Sequence, residues 1–295
     1  MTAPPRSLAS WRRLAIVFGI STSVLLLEAA GALLANSLAL FADAGHVLAD
    51  VVGMGLSLFA IWLASRPAGE GRTFGHLRAE ILAAVANATL LFGIAIFVLF
   101  EAGLRFAAPP AVASAPMLLF ASVGVVANLF SAWLLHDARS QTLNLRAAFL
   151  EVLSDAAGSA VVIVAALVIA TTGFTAFDAI ASAAVALLIL PRTWRLLREA
   201  IDVLLEATPK DVDTRHVRQH ILDAPGVIEV HDLHVWTITS GMNVVSAHVV
   251  LGDQAHPPAV LRALGACLRD DFDIEHSTFQ LETPDHRPIE EGLHR

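Results

Sequence analysis

A single cysteine, Cys267, stands among 295 residues. One thiol excludes an intramolecular disulfide framework and a cage of several thiolates within one chain. Any metal ligation would fall to nitrogen and oxygen donors, and Cys267 reads as a small apolar residue on a helix. Charge is scarce as well: Asp, Glu, Lys and Arg make up 16% of the chain, against about 25% in a soluble domain. With 56% hydrophobic residues and a mean hydropathy of +0.67, this is a membrane protein. Positive charge is in deficit, and a net −8 disfavours nucleic acid as a partner. HExxH and P-loop patterns are missing, which disfavours an ATP-driven pump. No internal repeat or low-complexity stretch stands out. The first apolar run lacks a clean signal-peptide cleavage site and reads better as a spanning helix.

What is present is unevenly distributed. Residues 1–207 carry 12 basic and 13 acidic residues, whereas residues 208–295 carry 7 and 14 together with nine of the twelve histidines. A membrane part is thus followed by an acidic, His-rich soluble domain. Runs of about 20 apolar residues cross a bilayer. Six are present, at 13–35, 38–64, 78–104, 115–135, 147–171 and 176–196. The breaks carry turn signals: Asn36-Ser37, Pro67 through Gly75, Pro109-Pro110 and Thr171-Thr172-Gly173. Arg12, Arg13, Arg66, Arg72, Arg78, Arg139, Arg146, Arg192, Arg195 and Arg198 all fall on one side of such a bundle, against Arg105 alone on the other. The positive-inside rule then places both termini in the cytoplasm.

After Pro209 the pattern becomes that of a compact α+β domain. DVDTRHVRQHILDA reads as a helix, and VIEVHDLHVWTI and NVVSAHVVLG as strands joined through Ser240-Gly241. PPAVLRALGACLRDDF reads as an amphipathic helix opened by proline, and HSTFQLE as a last strand. The expected division is a six-span membrane domain at 1–207, a soluble α+β domain at 208–284, and a flexible tail at 285–295.

Ionisable side chains are costly in hydrocarbon, yet the second span holds His46 and Asp50 and the fifth holds Glu151 and Asp155. Positions four apart share a helix face, so each pair points into one cavity. The second and fifth spans run antiparallel, and the four side chains can surround one ion. Imidazole and carboxylate suit zinc or a neighbouring transition metal, and four ligands meet zinc's tetrahedral preference. Helix–helix hydrogen bonding is the alternative use of such residues. Asp43 lies one turn before His46, where it either aids entry or sits near the outer interface. Glu28, Glu101, Asn87 and Asn128 read as packing or vestibule residues. Gly31, Gly45, Gly53 and Gly55 allow close helix approach.

Four segments carry a resemblance. SLALFADAGHVLAD, FGHLRAE at 74–80, NLRAAFLEVLSDAAGS at 144–159 and HDLHVW at 231–236 together resemble the cation diffusion facilitator family, in order and over nearly the whole chain. The resemblance implies a homodimeric, proton-coupled exporter of zinc or a similar divalent ion in a membrane, expected to be the bacterial inner membrane. It also implies a six-helix transmembrane domain and a ferredoxin-like, metallochaperone-like cytoplasmic domain. The family's transport site maps onto His46, Asp50, Glu151 and Asp155. Its zinc pattern usually has histidine where this chain has Glu151, a harder ligand that favours oxygen-preferring ions relatively. Cobalt, cadmium, nickel, iron and manganese therefore stand beside zinc as candidate cargo.

Further residues follow from the same resemblance. His76 corresponds to part of a cytoplasmic loop site in some relatives, although Arg72 occupies a position often held by a ligand. Arg78 and Glu206 resemble a charge pair that locks two protomers together. His231 and His248 fall on adjacent predicted strands, where cross-strand pairing can join them. Glu282, His276 and His256 could complete sites there, and a regulatory zinc ion is one implied occupant. His234 alternates to the face opposite His231 and reads as structural; His216, His220, His286 and His294 read as solvated. Two other classes compete: a membrane-embedded metalloenzyme, for which no nucleophile or base is evident, and a metal sensor without transport.

Overall fold

The computed structural model describes residues 8–138, 143–274 and 276–284, so the tail expected at 285–295, with His286 and His294, lies outside the described residues. Six helices among the described residues are long and apolar enough to cross a membrane. They are α1 (Leu8–Ala35), α2 (Leu38–Ala64), α3 (Ala79–Ala107), α4 (Ser114–His136), α5 (Leu143–Thr172) and α6 (Ala176–Leu204). The sixth runs eight residues past its expected end, straight through Pro191. Beyond Leu196 the sequence LREAIDVL stays helical although Arg198, Glu199 and Asp202 interrupt the apolar run. Thr171 and Thr172 close α5, where the sequence places the break between the fifth and sixth spans. Their hydroxyls bond back to the Leu167 and Val168 carbonyls at 2.8 and 2.6 Å, and the turn falls on Gly173 with φ +72°.

The chain divides into two compact units, residues 1–59 with 83–197, and residues 60–82 with 198–295. The first unit is a helix bundle with an inverted hydrophobic pattern. Large apolar side chains such as Leu26, Leu33, Phe100, Trp133 and Leu188 face outward, while alanines fill the interior. Lipid, unlike water, rewards neither arrangement of apolar surface, so close packing decides which residues face inward, and small residues win. Ala32, Ala35, Ala39, Ala121, Ala165 and Ala166 join α1, α2, α4 and α5. Ala42, Ala95, Ala102, Ala179 and Ala186 join α2, α3 and α6. Gly45 and Gly53 bring α3 against α2: a methyl added at either would meet Ile94 or Asn87. Gly55 faces open space.

The start of α2 is held by another helix. Asp178 of α6, 1% exposed, accepts from the Ser37 hydroxyl at 2.5 Å and from the Leu38 and Ala39 amides at 2.7 and 3.2 Å. A carboxylate at a helix N-terminus satisfies orphan amides and complements the macrodipole. This cap sets the origin from which His46 and Asp50 are reached along α2.

In the second unit, α7 (Thr214–Leu222) and α8 (Pro257–Phe272) pack on a three-stranded sheet of β1 (Val227–Thr239), β2 (Met242–Leu251) and β3 (His276–Glu282). β1 and β2 form an antiparallel hairpin, and β3 lies parallel to β2. Val217, Ile221, Val245, Val249, Leu264 and Leu268 are the centre of the core, each 0% exposed. Asp213 caps α7 through the Arg215 amide, and Asp273, at φ +54°, ends α8. At the hairpin turn Thr239 and Ser240 donate to the Glu80 carboxylate at 2.6 and 2.9 Å. Glu80 belongs to the same FGHLRAE segment as His76.

Candidate metal sites

Along α2, one helical turn places His46 above Asp50, and Asp155 of α5 faces both. His46 Nε2 lies 3.7 Å from Asp50 Oδ2 and 3.6 Å from Asp155 Oδ1. The three offer donor atoms within 4.8 Å of one another, at 14%, 21% and 4% side-chain exposure. Those separations exceed hydrogen-bond length. His46 Nδ1, Asp50 Oδ2 and Asp155 Oδ1 are all buried and have no hydrogen-bond partner. Buried polar atoms left in this state are costly unless something else satisfies them.

Glu151, expected as an equal fourth ligand, stands beside that trio. Its carboxyl meets that of Asp50, and it lies outside the group of converging donors. Sequence reading missed Arg192. By sequence it is one flanking charge among several, yet its guanidinium acts electrostatically on His46, Asp50, Glu151 and Asp155. It follows Pro191, whose missing amide frees a carbonyl one turn earlier in α6.

Asp43 is buried within the bundle. It is 1% exposed and accepts from the Ser159 hydroxyl at 2.7 Å, while the same hydroxyl reaches Glu28, 0% exposed, at 3.2 Å. Room for this group comes from Gly158 and Gly124: a methyl on Gly158 would stand 2.7 Å from Asp43 Oδ1, and one on Gly124 would meet the Glu28 carboxylate. Of the other polar intramembrane residues, Glu101 is paired with Arg105 at 2.9 Å, and Asn128 is 2% exposed with an unpartnered side-chain nitrogen.

In the sheet domain, cross-strand pairing sets His231 opposite His248. Their ring centroids are 5.1 Å apart, and Glu282 on β3 lies beneath both. His231 Nε2 donates to Glu282 Oε2 at 3.1 Å, and Gln280 donates to Oε1 at 2.9 Å. His248 Nδ1 is 2.8 Å from Oε1 but too poorly aligned for a hydrogen bond. Burial alone would raise the Glu282 carboxyl; the bonds from His231 and Gln280 and the two imidazoles outweigh it and hold the group below the usual carboxylate range.

His234 corrects the alternation expected from sequence. β1 advances three residues from His231 to His234 while β2 advances two, and Asp232 sits in the irregularity at φ +50°. The extra residue cancels the change of face. Val230 and Val235 both point into the core, so His231 and His234 share the opposite face. Asp232 then lies between His234 and His248, 2.8 Å from His234 Nε2 and 3.8 Å from His248 Nε2. His256 and His276 stand apart from the cluster. His256 is exposed before α8, and His276 opens β3 with its ring 5.4 Å from that of Phe74. His76 is half-buried with an unpartnered Nδ1 and belongs to no converging donor group among the described residues. Arg78 and Glu206 pair within one chain at 2.7 Å, with side chains 38% and 58% exposed.

Residues 14–205 match the cation efflux transmembrane domain, and residues 209–284 match the cytoplasmic domain of cation efflux proteins. The chain belongs to this family, the cation diffusion facilitators. The transporter is 44% identical over 272 residues to the metal cation efflux system protein CzcD of Cupriavidus metallidurans, covering 92% of this chain and 86% of that one. It is 40% identical over 288 residues to the zinc transporter ZitB of Escherichia coli, covering 96% and 92%. A cadmium, cobalt and zinc/H(+)-K(+) antiporter of Bacillus subtilis is 38% identical over 283 residues, covering 94% and 91%. The metal-bound C-terminal domain of the Cupriavidus CzcD transporter is 44% identical, matching 24% of this chain and 99% of that one with a TM-score of 0.24. As a cation efflux protein, the transporter is a multi-pass membrane carrier of divalent metal cations and not an enzyme.

Proposed function

We propose that this transporter exports divalent metal, zinc foremost, from the cytoplasm in exchange for external protons, and that the cargo passes through His46, Asp50, Glu151 and Asp155. The reading rests on one observation: buried donor atoms on α2 and α5 converge without hydrogen-bond partners midway along apolar helices. A divalent ion held by His46 Nε2 would satisfy the orphaned Asp50 and Asp155 oxygens at once, and the nitrogen–oxygen set suits zinc. The ligands must shed protons to bind metal, so metal entry releases protons and protonation expels metal. Arg192 supplies a fixed positive charge that offsets three carboxylates when the site is empty. The names of the relatives favour this reading: one is a zinc transporter, and another exchanges cadmium, cobalt and zinc against protons and potassium.

The arginine distribution supports cytoplasmic termini in a bacterial inner membrane. Residues 1–207 form the transport domain in this reading, and residues 208–284 the domain that pairs two protomers. His231, His248 and Glu282 fit a resident zinc ion in that domain by their nitrogen–nitrogen–oxygen donor set, with a regulatory role.

The test is zinc uptake into sealed proteoliposomes under an imposed pH gradient. Flux should rise with the gradient and fall to the leak in Asp50→Ala. Zinc flux indifferent to the gradient would remove the exchange, and undiminished flux in Asp50→Ala would remove the site. Glu151→His should shift preference toward zinc over manganese and cobalt; an unchanged ion ranking would mean position 151 does not set selectivity.

A further inference from the structure

By sequence Cys267 reads as a helix packing residue and His216 and His220 as solvated, yet the fold brings these side chains together. Cys267 and Asp271 lie one turn apart on α8, and His220 occupies the last turn of α7. His220 Nδ1 is 3.4 Å from Cys267 Sγ and 3.3 Å from Asp271 Oδ2, and Sγ is 3.6 Å from the same oxygen. A zinc-sized ion bonded to sulfur at about 2.3 Å and to nitrogen and oxygen at about 2.0–2.1 Å, in tetrahedral geometry, spaces its donors about 3.3–3.6 Å apart. The three measured separations thus have the lengths of the edges of one face of such a tetrahedron.

A fourth donor stands close by. His216, exposed and one turn before His220, has its ring centroid 4.7 Å from that of His220. Phe272 packs edge-on against both rings, at 5.6 and 5.0 Å, and holds the pair in place. None of these residues belongs to the His231–His248–Glu282 cluster.

We propose that His220, Cys267 and Asp271, with His216 within reach, form a thiolate-containing binding site for a borderline-to-soft divalent cation such as Zn2+, Cd2+ or Co2+. Sulfur separates this site chemically from the histidine–carboxylate clusters elsewhere in the chain and favours softer ions over manganese or magnesium. A redox-active thiol is the competing use of an isolated cysteine. Reactive thiols are those whose proton is easily lost. Burial, together with the carboxylates of Asp271 and Asp270, pushes the Cys267 thiol up instead.

Cobalt titration of the metal-free, full-length protein in detergent tests the site. Cys267 is the sole cysteine, so thiolate-to-cobalt charge-transfer absorption reports on this position alone. Wild type should develop the band, with the intensity at saturation of one thiolate–cobalt bond per chain. His220→Ala and the isosteric, exposed Asp271→Asn should each weaken cobalt binding at that band at least about tenfold. His231→Ala should leave it unchanged. Absence of the band in wild type would overturn the site, as would a band of undiminished affinity in both His220→Ala and Asp271→Asn. Loss of the band in His231→Ala would show that the two clusters are one.

Discussion

The histidine–carboxylate clusters of the two units use the same donor types and differ in how completely they satisfy themselves. In the sheet domain, Glu282 already accepts from His231 and Gln280, and within the cluster His248 Nδ1 alone is left buried without a hydrogen bond. In the bundle, His46 stands 3.6–3.7 Å from its two carboxylates, and each residue keeps a buried atom without a hydrogen bond. A cluster that closes on itself can hold an ion as part of a settled fold. One whose donors do not satisfy one another gains most from an ion and must regain protons when the ion leaves. The comparison separates a site suited to transit from a site suited to residence.

The largest expected effect breaks the bundle side alone. Asp155→Asn removes one charge at constant shape and should take zinc flux in proteoliposomes down to the leak, with metal binding by the sheet domain retained. Glu282→Gln is the reciprocal change. Replacing the acceptor that organises two imidazoles should weaken metal binding there and cost about 1–3 kcal/mol of domain stability, seen in thermal melts, while transport persists.

The same residue makes the comparison pH-dependent. Glu282's carboxyl is held low in the native state, so the unfolded chain binds the extra proton and stability rises with pH. Its contribution is complete above the unfolded carboxylate value of about 4.3 and is lost as pH falls through the lower native value. Melts of the metal-free protein across that range should show this loss in wild type and a flatter profile in Glu282→Gln.

Smaller effects sharpen the boundary of the bundle site. Gly158→Ala places a methyl against Asp43 and should destabilise the bundle by about 1–3 kcal/mol, whereas Gly55→Ala, with nothing within 4 Å, should be neutral. Smallest is Arg78→Ala: an exposed pair is worth at most about 1 kcal/mol, so melts should barely move and the oligomer should keep its size in chromatography. Dissociation to single chains in that variant would show that the pair locks protomers.

Much of the architecture was legible because it depends on local chemistry. Apolar run length marked six spans; Pro257 marked the start of α8 and the Asp270-Asp271-Phe272 stretch its end. HSTFQLE matched β3 residue for residue. Misreadings came where a distant residue intervened. Asp43 was ambiguous until Ser159 and Gly158 of α5 closed over it. His234 was assigned to the wrong face because strict alternation cannot foresee the irregularity at Asp232.

By itself, the sequence determined the division into membrane and soluble parts, the number of spans and the two i,i+4 pairs, because hydrophobicity and helical repeat act over a few residues. Only the tertiary structure decided which donors meet. Asp155 came to face His46, Glu151 moved to the side, Arg192 came within range, and His220 met Cys267 across two helices. Those encounters depend on helix packing and strand register, which join residues far apart in the chain, and no local pattern encodes them.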